Sequence, residues 1–324
     1  MTVQDQPETA TTAQSWDTYW RGTGDAEAWT AGGASHPAIG AFWDRFFRAL
    51  SEDLDNPAML DIASGNGAVV ERALEVFNQQ PVEITPVDVS EAAIANIRAR
   101  FPGVRGLVCD ARSIPLESGA FDIVTSQFGV EYAGREAIGE ATRLLAPGGR
   151  LALLMHHRDG AIHQECAASL DAIEQTRSAR FIPLATDMFR AGFAAVRGAD
   201  RQPYDAAASR LAPAVEALER MIAQHGEHVA GDTIVRLYGD VARIHRELPN
   251  YDPEEVMSWL ARMGQELNAY AGRMSSMMAA AIDQSEFERI RTELDARTVV
   301  EQAGPLLVPG LELPLAWAIL ATGK

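Results

Sequence analysis

The sequence predicts an α/β protein: a mostly parallel seven-stranded sheet with a C-terminal antiparallel strand pair, interrupted by a helical insertion. Three observations carry this. Between about residues 58 and 158, short apolar runs alternate with stretches of helical periodicity, the pattern of βαβ units whose sheet is covered on both faces. Over 159–297 strand character disappears, and Pro183, Pro213, Pro249 and Pro253 punctuate a series of helical segments. Over 298–324 strand character returns in two runs whose connection holds Pro305, Pro309 and Gly310 and is too short for a parallel crossover.

Taken in order, residues 1–14 are polar and Thr/Gln-rich, with too few apolar side chains to pack, and are expected to form a disordered tail. Residues 15–57 are dense in aromatics, including Trp16, Tyr19, Trp20, Phe42 and Trp43, and read as an N-terminal helical lid or anchor. Within it Pro37 opens a helix reaching about Leu54, with Ile39, Phe42, Trp43, Phe46, Phe47 and Leu50 at helical spacing. Strands are predicted at Met59–Ala63, Val82–Val87, Gly106–Cys109, Phe121–Ser126 and Arg150–His156, with helices over Ala68–Phe77, Glu91–Arg100 and Arg135–Leu145. The insertion gathers Met257, Met263, Met274, Met277 and Met278, which suit either an adaptable pocket or an ordinary core.

Composition narrows the function. With 47% hydrophobic and 23% charged residues the chain can bury a sizeable core. A formal charge of −17 opposes binding to nucleic acid, which draws on clustered Lys and Arg. Cys109 and Cys166 are the only cysteines, which argues against a disulfide framework or thiolate zinc site, and the histidines show no metal-ligand spacing, so no metal is assigned. Neither a signal peptide nor an apolar run long enough to span a bilayer is visible, which makes the cytoplasm the expected compartment and gives no role to a membrane. Oligomeric state is open, a homo-oligomer included.

The chemistry concentrates on the carboxyl ends of the predicted strands. The first ends in Asp61, followed by Ala63-Ser-Gly65-Asn66-Gly67 and a helix, so two glycines stand where the backbone turns and a ligand can come close. By itself the loop suits a dinucleotide, another nucleoside cofactor or no ligand. About twenty residues on, the second strand ends at Asp88, placed to accept from two ribose hydroxyls, while Ser90 reads as a helix cap. The third strand ends in Cys109-Asp110-Ala111, the fourth runs to Gln127, and Pro147-Gly148-Gly149 precedes the fifth. Val70 stands where a dinucleotide fingerprint has its third glycine or alanine, which weakens that alternative.

This succession resembles the class I S-adenosylmethionine-dependent methyltransferases, in particular the ubiquinone/menaquinone-type and small-molecule group, with their Rossmann-like core. The resemblance covers about residues 58–157 and, more loosely, the C-terminal strand pair; it departs at Ala63, where the family loop usually carries glycine. It implies S-adenosyl-L-methionine as cofactor and direct displacement onto a small-molecule acceptor, with oxygen or nitrogen favoured. It further implies that Asp61, Ala63, Gly65, Asn66 and Gly67 lie along the methionine and ribose, that Asp88 holds the ribose hydroxyls and that Val89 packs on the adenine. Asp110 and Ala111 would meet the adenine amino group, Gln127 would lie beneath the cofactor, and Tyr19 would join them from the lid.

Methyl transfer from a sulfonium needs an aligned nucleophile and, for a protic acceptor, a destination for its proton. His156 and His157, closing the fifth strand, are the first candidates for that base, with Glu131 after the fourth strand next. Either histidine could instead only satisfy a backbone carbonyl. Two other uses of the same core stay open: an aminopropyltransferase, and a non-catalytic sensor or partner subunit that binds the cofactor.

Overall fold

The computed structural model describes residues 16, 17, 20, 21, 36–78 and 80–324. The predicted tail and Tyr19 lie outside the described residues. Helix α1 (Pro37–Asp53) starts where proline cannot donate, and the His36 ring accepts from the Ala38 amide as its cap. Its stripe of Ile39, Phe42, Trp43, Phe47 and Leu50 is buried.

The α/β core follows as β1 (Ala58–Ile62), α2 (Ala68–Val76), β2 (Glu83–Asp88), α3 (Glu91–Arg100), β3 (Leu107–Val108) and β4 (Phe121–Gln127). It continues with α4 (Val130–Ala133), α5 (Arg135–Leu144) and β5 (Leu145–Met155). After a run of helices, α11 (Gln284–Arg297), β6 (Thr298–Leu306) and β7 (Ala316–Gly323) close the chain. The seven strands form one sheet in the order β3-β2-β1-β4-β5-β7-β6. β1 to β5 are parallel, and β7 pairs antiparallel with both β5 and β6, as the short final connection requires. The order reverses between β1 and β4, and the carboxyl ends of such adjoining strands are where open α/β sheets place ligands.

The differences from the predicted bounds have local causes. Ala63 is not strand because its φ of +53° already belongs to the turn. β5 begins earlier than predicted, at Leu145, because Leu145 pairs with Phe121 before the Pro147–Gly149 segment, and the register shifts between Phe121 and Ile123. β3 keeps only two residues.

The chain divides into two compact units, Met1–His163 with Ala280–Lys324, and Gln164–Ala279. In the first, Leu60, Val124, Leu153, Ile319, Phe287 and Ile290 belong to one buried cluster, which brings α11 onto the sheet core. The second contains most of α6 (Ala161–Ser178), then α7 (Phe181–Val196), α8 (Gln202–His225), α9 (Thr233–Arg246) and nearly all of α10 (Pro253–Ala280). It has its own core, which includes Phe181, Phe189, Leu237, Leu260 and Met263.

Candidate active site

The loop after β1 is held by its own backbone and by β2. Ser64 N donates to Val87 O at 3.0 Å and Gly67 N donates to Ser64 O at 2.9 Å. Gly65 and Gly67 take φ of +52° and +92°, a region that side chains disfavour, and Gly67 starts α2 there. Ala63 adopts the same left-handed region despite its Cβ, at a cost of order 1 kcal/mol. Asp88 closes the loop: Oδ2 accepts from Gly65 N at 2.9 Å and Oδ1 from Ser90 N at 2.8 Å. Burial nonetheless pushes its carboxyl up to about 6, against these amides.

Asp61 lies one strand away and is 1% exposed. Oδ1 accepts from Thr125 Oγ1 at 2.9 Å across the β1–β4 seam, and Oδ2 is buried without a hydrogen-bond partner among the described residues. Burial first, and then the charge of Asp88, push the carboxyl up to about 7. A buried carboxylate oxygen without a partner is expensive, so this atom marks a place prepared for a cationic or donating group.

The N-terminal aromatics cover this loop. A Cβ on Gly65 would meet the Trp20 ring at 2.7 Å, so the indole packs directly on the glycine. Asp17 Oδ1 accepts from Ser90 Oγ at 3.0 Å and from Ala92 N at 2.9 Å, which caps the start of α3 beside Asp88. Trp16 stacks on Trp20 and meets Tyr132 edge-on, with centroids 5.4 Å apart in the second pair.

The other wall follows β4. Gly129 abuts the loop so closely that a Cβ there would lie 2.5 Å from Ala63 Cβ. Gln127 ends β4 and accepts from Trp43 Nε1 at 2.5 Å. The short helix α4, which the sequence pattern does not disclose, carries Glu131 and Tyr132. Glu131 Oε1 lies 2.7 Å from His156 Nδ1 and also accepts from His156 N at 2.9 Å. Both side chains are buried, and His156 Nε2 and Glu131 Oε2 have no hydrogen-bond partner among the described residues. The His156 ring lies 4.4 Å from that of Phe128 and edge-on to Tyr132.

The structure separates the two adjacent histidines. His157 stacks on Trp317 at 4.1 Å, and its Nδ1 sits beside Arg158 O, while burial holds its ring below its ordinary value. Asp110 is engaged by the Arg112 guanidinium through both carboxylate oxygens and sits well below the usual carboxylate range, with Ala111 following it. Val89 is 41% exposed beside Asp88, an apolar side chain open at the mouth of the loop. Asn66 is buried, and its carbonyl accepts from Arg100 at 2.8 Å. Burial and Asp110 push the Cys109 thiol up to about 11, so it stays protonated. Trp43, Asp17 and Gly129 escape sequence reasoning because each acts through a partner remote in the chain.

Comparison with known proteins agrees with this geometry. Residues 60–153 match the model of a methyltransferase domain. The chain is 35% identical over 39% of its length to a ubiquinone/menaquinone biosynthesis C-methyltransferase of Methylobacterium nodulans, and this match spans only half of that relative. It is 29% identical over 63% of its length to the enzyme of that name from Ectopseudomonas mendocina, covering 77% of it. Among solved structures, an S-adenosylmethionine-dependent methyltransferase from Mesorhizobium loti superposes with a TM-score of 0.33 at 21% identity, over 39% of this chain and 56% of that one. The segment from Leu60 to Leu153 thus matches a methyltransferase domain, and the two curated relatives that share it carry the names of methyltransferases.

Proposed function

We propose that this protein transfers a methyl group from S-adenosylmethionine to a small, partly apolar acceptor. The observation that carries the proposal is the pairing of Asp61, with one buried carboxylate oxygen unmet, and Asp88, bonded into the glycine loop at the carboxyl edge of the sheet. These residues fit the cofactor. Asp61 offers a partner to its cationic methionine end, Asp88 can accept from its ribose hydroxyls, and the exposed Val89 offers an apolar face to its adenine, flanked by Asp110 and Ala111. When bound, the cofactor supplies an activated methyl group on a sulfonium. The chain's own task is to align an acceptor and exclude water, and the Trp16–Trp20 pair stacked over Gly65 suits the role of a lid.

Oxygen and nitrogen are the acceptor atoms we favour. The names of the two relatives above introduce carbon as a third. The helical insertion over 159–297 is proposed to select the acceptor, and no helix of the described residues is long and apolar enough to cross a membrane. The test has two parts. Calorimetry on Asp88→Ala and Gly65→Val should show S-adenosylmethionine binding weakened at least tenfold, and normal affinity in both would overturn the site. Incubation of the protein with cofactor labelled in the methyl group and a cell extract should label a small molecule. Label in macromolecules would redirect the acceptor, and no transfer would favour a binding role.

A further inference from the structure

Building on the methyltransferase reading above, we propose that His156 and Glu131 form a proton-accepting dyad, with His156 Nε2 as the base, and that the acceptor is a phenol or enol. Glu131 Oε1 sits 2.7 Å from His156 Nδ1, and a carboxylate there can only accept, so Nδ1 carries the proton and Nε2 presents its lone pair. That Nε2 is buried with no hydrogen-bond partner among the described residues, a costly state unless a donor reaches it. The backbone that carries the ring is itself fixed. His156 N donates to the same Glu131 oxygen, and His156 O accepts from Ile282 N at 2.8 Å.

The environment of Glu131 explains the direction of proton flow. Its side chain is 0% exposed, and among the described residues its second oxygen is unmet and no Lys or Arg side chain bonds it. A buried carboxylate of this kind gains its counter-charge only when His156 becomes imidazolium, which is the state that follows proton capture. Among the described residues the rings of Tyr132, which is titratable, and Phe128 also contact the His156 ring.

The acceptor chemistry follows. As the bond from the sulfonium to the methyl carbon breaks, its electron pair stays on sulfur, which leaves as a neutral thioether. The new bond forms from the acceptor oxygen, or from the carbon conjugated to it, and the hydroxyl proton ends on Nε2. A neutral amine can attack before it loses a proton, so it makes no demand for such a base. A phenol or enol does, and its flat conjugated body suits the aromatic surfaces of Phe128, Tyr132 and Trp16.

The test uses the full chain with labelled cofactor at mildly alkaline pH and two probes, naphthol, which stays protonated there, and para-nitrophenol, which is largely ionised. In Glu131→Gln and His156→Gln, transfer to naphthol should fall at least tenfold and transfer to para-nitrophenol less than threefold. The split between the two probes marks a positioning role of Glu131 through His156, because a merely structural role would slow both alike. Equal slowing of both probes, or wild-type transfer to neither probe, would overturn the dyad. Calorimetric cofactor affinity should stay within threefold of wild type in both variants. Labelling of extract without labelling of either phenol would leave the methyltransferase reading standing and the dyad refuted.

Discussion

Trp43 Nε1 donates to Gln127 Oε1 at 2.5 Å, which joins the first helix to the carboxyl end of β4 across 84 residues of sequence. The bond decides which way the Gln127 amide points, because its carbonyl oxygen is committed to the indole. Trp43→Phe keeps most of the buried ring and removes the donor. It should cost about 1 kcal/mol of stability in urea denaturation and raise the KM for cofactor or acceptor more than it lowers kcat.

Gly129 predicts a sharper effect. A methyl group there would meet Ala63 Cβ at 2.5 Å and Ala63 O at 3.0 Å, and Ala63 is already held at a positive φ. Neither backbone can yield without moving the glycine loop. Gly129→Ala should therefore destabilise the protein by roughly 1–3 kcal/mol and weaken S-adenosylmethionine binding at least tenfold by calorimetry. Gly139→Ala, with open space around its Cβ in the middle of α5, is the control: it should leave cofactor binding unchanged and stabilise the protein by up to about 1 kcal/mol.

The two buried aspartates predict a pH dependence whose sign is unusual for carboxylates. Asp61 is raised to about 7 and Asp88 to about 6 from an ordinary value of 3.8, so the folded protein binds more protons than the unfolded chain between these values. Their contribution to stability is full below about 3.8 and is lost as pH rises through the folded values. His157, held low by burial, acts in the opposite sense, so the comparison that isolates Asp61 is wild type against Asp61→Asn. The melting temperature of wild type, without cofactor, should fall more steeply between mildly acidic and mildly alkaline buffer than that of the variant. Parallel curves would show that Asp61 is ionised throughout.

The same carboxyl predicts a proton inventory for cofactor binding. A cation placed against Asp61 favours its ionised form, so S-adenosylmethionine binding near neutral pH should release protons and tighten as pH rises through about 7. Calorimetry in buffers of different ionisation enthalpy measures the release, and Asp61→Asn should abolish it.

What the sequence disclosed and what it withheld divide along the range of the interaction. The β1 turn was legible because an apolar strand, two glycines and a helix lie within a few residues, and Asp88 because βαβ spacing places it. The antiparallel ending was legible because the connection is too short for a crossover, although Pro305, read as part of the turn, pairs with Trp317 inside β6 and the connection runs from Leu307 to Leu315. Glu131 and His156 could each be picked out as strand-end residues, but their contact spans 25 residues and has no periodic signature. Helix α4 is too short to establish a pattern, and the early start of β5 depends on a partner strand, Phe121 with Leu145, that overrides the Pro-Gly-Gly turn chemistry. Nothing in the local chain around Asp17 announces that it finishes a helix 75 residues away.

That last bond gives the N-terminal segment a built-in reporter. Ser90 Oγ satisfies the Ala93 amide from within the helix, whereas the Ala92 amide depends on Asp17. Each excursion of Trp16 and Trp20 away from Gly65 that carries Asp17 with it must expose a single backbone hydrogen to solvent. The deuterium uptake of Ala92 thus counts departures of Asp17 from the start of α3, with the neighbouring Ala93 as an internal clock that the same motion leaves running.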